Sequence, residues 1–185
     1  GVFLREYQKW ADAGYISDSV FIQYSTNNGL SWITKSKFNG YQIFWIDLAD
    51  ENSFSFYVRA AIPPNQYGLL RSTNGGLNWF SFNFPSSRAY DIKFFDINTG
   101  WAVGSNKLIL KTTNGGLNWV TQNCPDSLTN KKIAIINQDV VFILSIKKNL
   151  QDIYLVKTTN GGTNWDAIPV SNKIGITGIS FINEN

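Results

Sequence analysis

The chain has 185 residues, with 43% hydrophobic and 15% aromatic content, which supplies a sizeable core and excludes a disordered segment. Its 16 Lys and Arg against 13 Asp and Glu leave a net charge of +3, dispersed in pairs such as Lys131-Lys132 and Lys147-Lys148, which argues against a nucleic-acid binder. One cysteine (Cys124) and no histidine exclude an intrachain disulfide and imidazole zinc sites, and no apolar run approaches the about 18 residues of a spanning helix.

From the N-terminus, GVFLREYQKW lacks the form of a signal peptide, and EYQKWADAG could make a short turn of helix. VFLREYQ and ISDSVFIQYS read as strands and lead into STNNGLSW (residues 25–32). Next come YQIFWIDL, SFSFYVRAA and YGLLRS, then STNGGLNW (72–79) and a return strand NWFSFNF. AYDIKFFD, a turn at INTG, WAVGS and KLILKTT lead into TTNGGLNW (112–119). KKIAII, DVVFILSI and DIYLVKTT lead into TTNGGTNW (158–165). The motif starts lie 47, 40 and 46 residues apart, a period of one four-stranded propeller blade. The predicted fold is therefore all-β, a β-propeller of antiparallel blades, with units at 1–37, 38–84, 85–124 and 125–170. Residues 171–185 then hold the first strand of a further blade or the strand that closes the first. Because FINEN breaks off where the third unit runs on as FFDINTGWAVG, the chain is expected to be a piece of a longer propeller.

Each motif has a mechanical reading. The asparagine at its third position (Asn27, Asn74, Asn114, Asn160) is expected to bind backbone N–H groups two residues on. Glycine at the fifth (Gly29, Gly76, Gly116, Gly162) supplies the positive φ of a tight hairpin. The closing tryptophan (Trp32, Trp79, Trp119, Trp165) offers a large surface to bury under the turn or between blades, and Trp119 is predicted to be largely buried.

The pattern Ser/Thr-x-Asx-x-Gly-x-x-Trp resembles the Asp-box, or bacterial neuraminidase repeat, of sialidases, sortilin-type receptors and several glycosidases. The longer stretch FFDINTGWAVGSNKLILKTTNGGLNW is similar to blades of the photosystem II assembly and stability factor type, which also occur in secreted and surface proteins of Bacteroidota-like bacteria. That resemblance implies an extracellular, cell-surface or periplasmic location. Every box here carries Asn where the family usually has Asp, which keeps the turn-closing oxygen and removes the charge a metal would need, so no metal or cofactor is expected.

A glycoside hydrolase is the enzymatic alternative, since some Asp-box propellers use paired carboxylates. Its candidate acids are Asp47, Asp91, Asp96, Asp139 and Asp152 with Glu6, Glu51 and Glu184; Asp96, before Asn98-Thr99-Gly100, reads as a turn former. A sialidase-like site needs an arginine triad, yet Arg5, Arg59, Arg71 and Arg88 lie at unlike repeat positions; Arg71, just before a box, reads as solvated or strand-pairing. Cys124 reads as an unpaired loop or edge residue. No catalytic residue is assigned.

A non-catalytic module that binds a protein or glycan is preferred, a purely structural repeat being the other alternative. Loops joining second to third strands and successive blades share the face opposite the boxes. They comprise residues 62–67, 86–90, 126–132 and 147–152, and they differ between copies as recognition surfaces on repeated frames do. Tyr67, Arg88, Tyr90, Lys131, Lys132, Lys147 and Lys148 are the candidate contact residues.

Overall fold

A computed structural model describes residues 3–10, 17–25, 27–38, 41–50, 53–60, 67–84, 89–125, 127–147, 152–170 and 178–179. Among them there is no helix, and fifteen strands account for the regular structure. Glu6–Trp10, read above as a possible helical turn, belongs to the first strand: paired residue by residue with the next strand, the segment gains more from a ladder than from one isolated helical turn.

The chain divides into two compact units, Gly1–Asn83 and Phe84–Asn185. The first holds a three-stranded sheet of β1 (Phe3–Trp10), β2 (Ser17–Ser25) and β3 (Ile33–Phe38). Beside it lies a four-stranded sheet of β4 (Tyr41–Asp50), β5 (Ser53–Ala60), β6 (Tyr67–Ser72) and β7 (Phe80–Asn83). The second holds β8 (Ala89–Phe94), β9 (Gly100–Gly104), β10 (Ile109–Thr112) and β11 (Val120–Thr121), then β12 (Leu128–Ile135), β13 (Val141–Lys147), β14 (Ile153–Thr158) and β15 (Asp166–Val170). All four sheets are antiparallel meanders in chain order, as short turns between successive strands require. Apart from 178 and 179, residues 171–185, predicted to carry a further or closing strand, lie outside the described residues.

In the second unit β12 packs against β8 and β9. GWAVG, which is β9, is buried at every position rather than alternating. The core joins Trp101, Val103 and Ile109 of one sheet to Leu128, Ile133, Val141, Ile143 and Val156 of the other, with Trp165 closing it. Gly100 opens β9 because a Cβ there would sit 2.5 Å from the Phe94 ring.

Candidate functional site

The box turns share one geometry. Leu77 N donates to Asn74 O and Leu117 N to Asn114 O across two residues of positive φ, the signature of a type I′ hairpin turn. The fourth motif position is left-handed as well as the fifth: Gly75, Gly115 and Gly161 have φ of 67°, 71° and 65°, and Asn28 takes the place in the first box at 57°. Sequence reasoning assigned this demand to the fifth position alone.

The asparagine reaches further than predicted. Asn114 Oδ1 accepts from Asn118 N at 3.0 Å, four residues on rather than two, and Asn27, Asn74 and Asn160 do the same at 2.9 Å. Two residues of left-handed backbone intervene, so the shorter Asx turn cannot form. The first motif position, given no role above, closes the near side. The Thr112 hydroxyl accepts from Asn114 N at 3.3 Å and Gly116 N at 2.8 Å while donating to Asn114 Oδ1 at 3.0 Å. Ser25, Ser72 and Thr158 repeat the arrangement, and all four are buried.

The closing tryptophans diverge. Trp79 Nε1 donates to Gly76 O at 3.0 Å and to Ser36 Oγ at 3.1 Å, and Trp119 Nε1 to Gly116 O at 3.1 Å. Trp119 is only half-buried, against the prediction, with its ring against those of Phe84 and Phe94. Trp165 is the buried member, 8% exposed and edge-on to Trp101 with ring centroids 5.6 Å apart. Trp32 lies near its own turn, 3.6 Å from where a Cβ on Gly29 would stand.

Polar clips join the two sheets of the second unit. Asp91 Oδ2 accepts from Ile133 N at 2.9 Å, so this candidate acid is spent on strand alignment. Asn130, fully buried, donates to Leu108 O at 3.1 Å and accepts from Ser145 Oγ at 2.7 Å, with Cys124 Sγ 3.6 Å from its amide nitrogen. Lys111 Nζ donates to Gly161 O at 2.7 Å and lies 4.9 Å from the centre of a Trp101 ring. Lys111 holds the same pre-box position as Arg71, which is 0% exposed; the solvated reading of Arg71 is therefore corrected, the position being one of close packing. Asp96 Oδ1 caps Asn98 N and Thr99 N at 2.7 and 2.6 Å, the work of a turn former.

Of the candidate contact residues, the structure brings two together. In β8 the pairing skips Tyr90, since Ala89 faces Gly104 and Asp91 faces Val103; in β12 it skips Lys131, since Asn130 faces Ser145 and Lys132 faces Leu144. The register break recurs at Phe44 in β4, so it is a repeated bulge in the first strand of each four-stranded sheet. The two bulged residues meet, with Lys131 Nζ 4.3 Å from the centre of the Tyr90 ring. Lys132 is half-buried beside them, and Lys147, at the end of β13, lies 5.9 Å from the Tyr154 ring centre. Tyr67 opens β6, facing Arg59 in the ladder. Arg88 and Lys148 lie outside the described residues, as do residues 62–66, 86–87, 126 and 149–151 of the candidate loops.

Two clefts in this unit lie elsewhere. One of about 650 Å³ runs between Asn123–Pro125 and the last box, and one of about 520 Å³ between Phe95 and the turn at 137–140. Neither includes any candidate contact residue, and Tyr90 and Lys131 are both half-buried.

The family model described as Photosynthesis system II assembly factor YCF48 matches residues 72–180, more than half of the chain. Among solved structures, one described as YCF48 bound to D1 peptide is similar with a TM-score of 0.51 and 23% identity, over 70% of this chain and 44% of that one. YCF48 from Cyanidioschyzon merolae gives a TM-score of 0.55 and 16% identity, over 89% and 55%. The chain thus spans about half the length of these structures, and the likeness establishes its fold as a β-propeller. No curated protein matches significantly. The expected extracellular, cell-surface or periplasmic location is overturned: the family and both structures carry the name of a photosystem II assembly factor, which points away from a bacterial surface.

Proposed function

Because the chain belongs to the Photosynthesis system II assembly factor YCF48 family, we propose that it is a non-catalytic propeller scaffold that holds a peptide segment of a protein partner. The observation that carries this reading is the stacked Tyr90–Lys131 pair, presented by bulges on the first strands of neighbouring sheets. A bulge frees one side chain from the strand's alternation and re-aims it, and a tyrosine bearing an ammonium group offers a partner both flat apolar surface and charge. The structure described as YCF48 bound to D1 peptide supplies the class of ligand. The glycosidase alternative loses ground on physical terms: Asp91 holds a backbone N–H and Asp96 closes a turn, so neither carboxylate is placed to meet a substrate.

The test is titration calorimetry of the chain with D1 peptide, comparing wild type with Tyr90→Ala and Lys131→Glu. Each substitution is expected to weaken binding about tenfold, the effect of roughly 1.4 kcal/mol. Unchanged affinity in both variants would refute the assignment of the site, and no binding by the wild type would refute the choice of ligand.

A further inference from the structure

We propose that Asn114-Gly115 and Asn160-Gly161 are conditional deamidation sites, closed while the two turns at the box end of their sheet are clasped together and reactive once that clasp releases. All four boxes of this chain contain an Asn-Gly dipeptide at an exposed turn, at Asn74, Asn114 and Asn160 and, one position later, at Asn28 in the first box. In an unconstrained chain this is the dipeptide most prone to lose its side-chain amide, because glycine puts no side chain in the way of its own nitrogen.

The reaction has two steps. The Gly115 nitrogen attacks Asn114 Cγ; the new N–Cγ bond forms as the Cγ–Nδ2 bond breaks, and ammonia leaves with the amide proton of Gly115. Water then opens the cyclic imide. Addition at the former side-chain carbonyl gives aspartate, and addition at the backbone carbonyl gives isoaspartate, which lengthens the main chain by one methylene.

The fold blocks the first step at both of its participants. The nucleophile is engaged, since Gly115 N donates to Asn98 O at 2.8 Å in the turn between β8 and β9. The electrophile is held as well, its Oδ1 accepting from the Thr112 hydroxyl and from Asn118 N, both at 3.0 Å. The last sheet repeats the device. Gly161 N donates to Asp139 O at 3.0 Å, and Asn160 Oδ1 accepts from the Thr158 hydroxyl at 3.0 Å and Asn164 N at 2.9 Å. Each clasping turn has its own cap: Asp96 Oδ1 on Asn98 N and Thr99 N, and Asn137 Oδ1 on Asp139 N and Val140 N at 3.0 and 2.8 Å. The two locks can therefore be undone separately.

The experiment incubates the folded chain at mildly alkaline pH and follows aspartate and isoaspartate at each position by peptide mapping with mass spectrometry. Wild type is expected to convert at Asn114 and Asn160 at least about tenfold more slowly than the same chain in urea. Asp96→Ala should raise conversion at Asn114 about tenfold and leave Asn160 unchanged, and Asn137→Ala should do the reverse, because each removes one cap and raises one local opening. Thr112→Ala should also raise Asn114, while Thr112→Ser, which keeps the hydroxyl, should not. Equal conversion in folded and unfolded chains overturns the proposal. So does a rise at both positions in both cap variants, which would assign control to global unfolding, and so does no rise in either.

Discussion

Gly162→Ala is expected to destabilise the second unit by about 2–5 kcal/mol, as the sum of two effects that the neighbouring glycine separates. The first is backbone strain: φ is +91°, and a side chain in left-handed backbone costs about 1–2 kcal/mol. The second is overpacking. The new Cβ would lie 2.6 Å from Trp101 Cη2, and Trp101 is 0% exposed with its ring held edge-on to Trp165, so the indole has nowhere to move; such overfilling costs about 1–3 kcal/mol. Gly161→Ala shares the first effect, with φ +65°, but its Cβ meets the far end of the flexible Lys111 side chain at 3.0 Å, so only about 1–2 kcal/mol is expected. Urea unfolding followed by near-ultraviolet circular dichroism of the tryptophans measures both, the midpoints being compared at equal slope. Losses that agree within about 0.5 kcal/mol, or a larger loss at Gly161, would refute the claim that the Trp101 ring is fixed.

Three further outcomes are expected. Thr112→Ala leaves two backbone N–H groups without their acceptor and should cost about 1–3 kcal/mol in urea unfolding, whereas Thr112→Ser should approach wild type, as serine serves the same place in the first two boxes. Asn114→Ala should lower thermal stability and Asn114→Asp should leave it nearly unchanged, because the carboxylate still accepts from Asn118 N and the Thr112 hydroxyl; equal losses would sink the account of the turn. Trp165→Ala should cost about 3–5 kcal/mol and Trp119→Ala clearly less, since only the former ring is buried in the core; calorimetric melting of both variants decides the order.

The sheets were legible because two signals coincide in each repeat, a hydrophobic strand rhythm and a turn motif at blade-length spacing. The chemistry inside the turn was less so. An asparagine oxygen reaching four residues rather than two depends on left-handed backbone at the fourth position, and the presence of glycine there permits that conformation without requiring it. Trp119 and Trp165 occupy one motif position, yet their burial differs with neighbours that no motif specifies: phenylalanines for the one, Trp101 for the other. Arg71 shows the converse, a charged residue read from sequence as solvated or strand-pairing, which the fold pairs with Ser55 and Phe80 and buries completely. At the candidate site Tyr90 and Lys131 were visible as residue types. Their meeting was not, since it depends on two bulges, which strand pairing reveals and residue types do not. Asp91 and Asn130, the clips between sheets, occur at no repeated place: Asp91 was legible only as a candidate acid and Asn130 gave no signal.

The meander order also bears on how the chain acquires its structure. Every ladder from β8 to β15 joins strands that follow one another along the chain, so a blade can close as soon as its own four strands have emerged during synthesis. The bonds from Asp91 to Ile133 and from Asn130 to Leu108 reach back to a blade already made. Made in this order, the unit would use its completed third blade as the template on which the fourth docks.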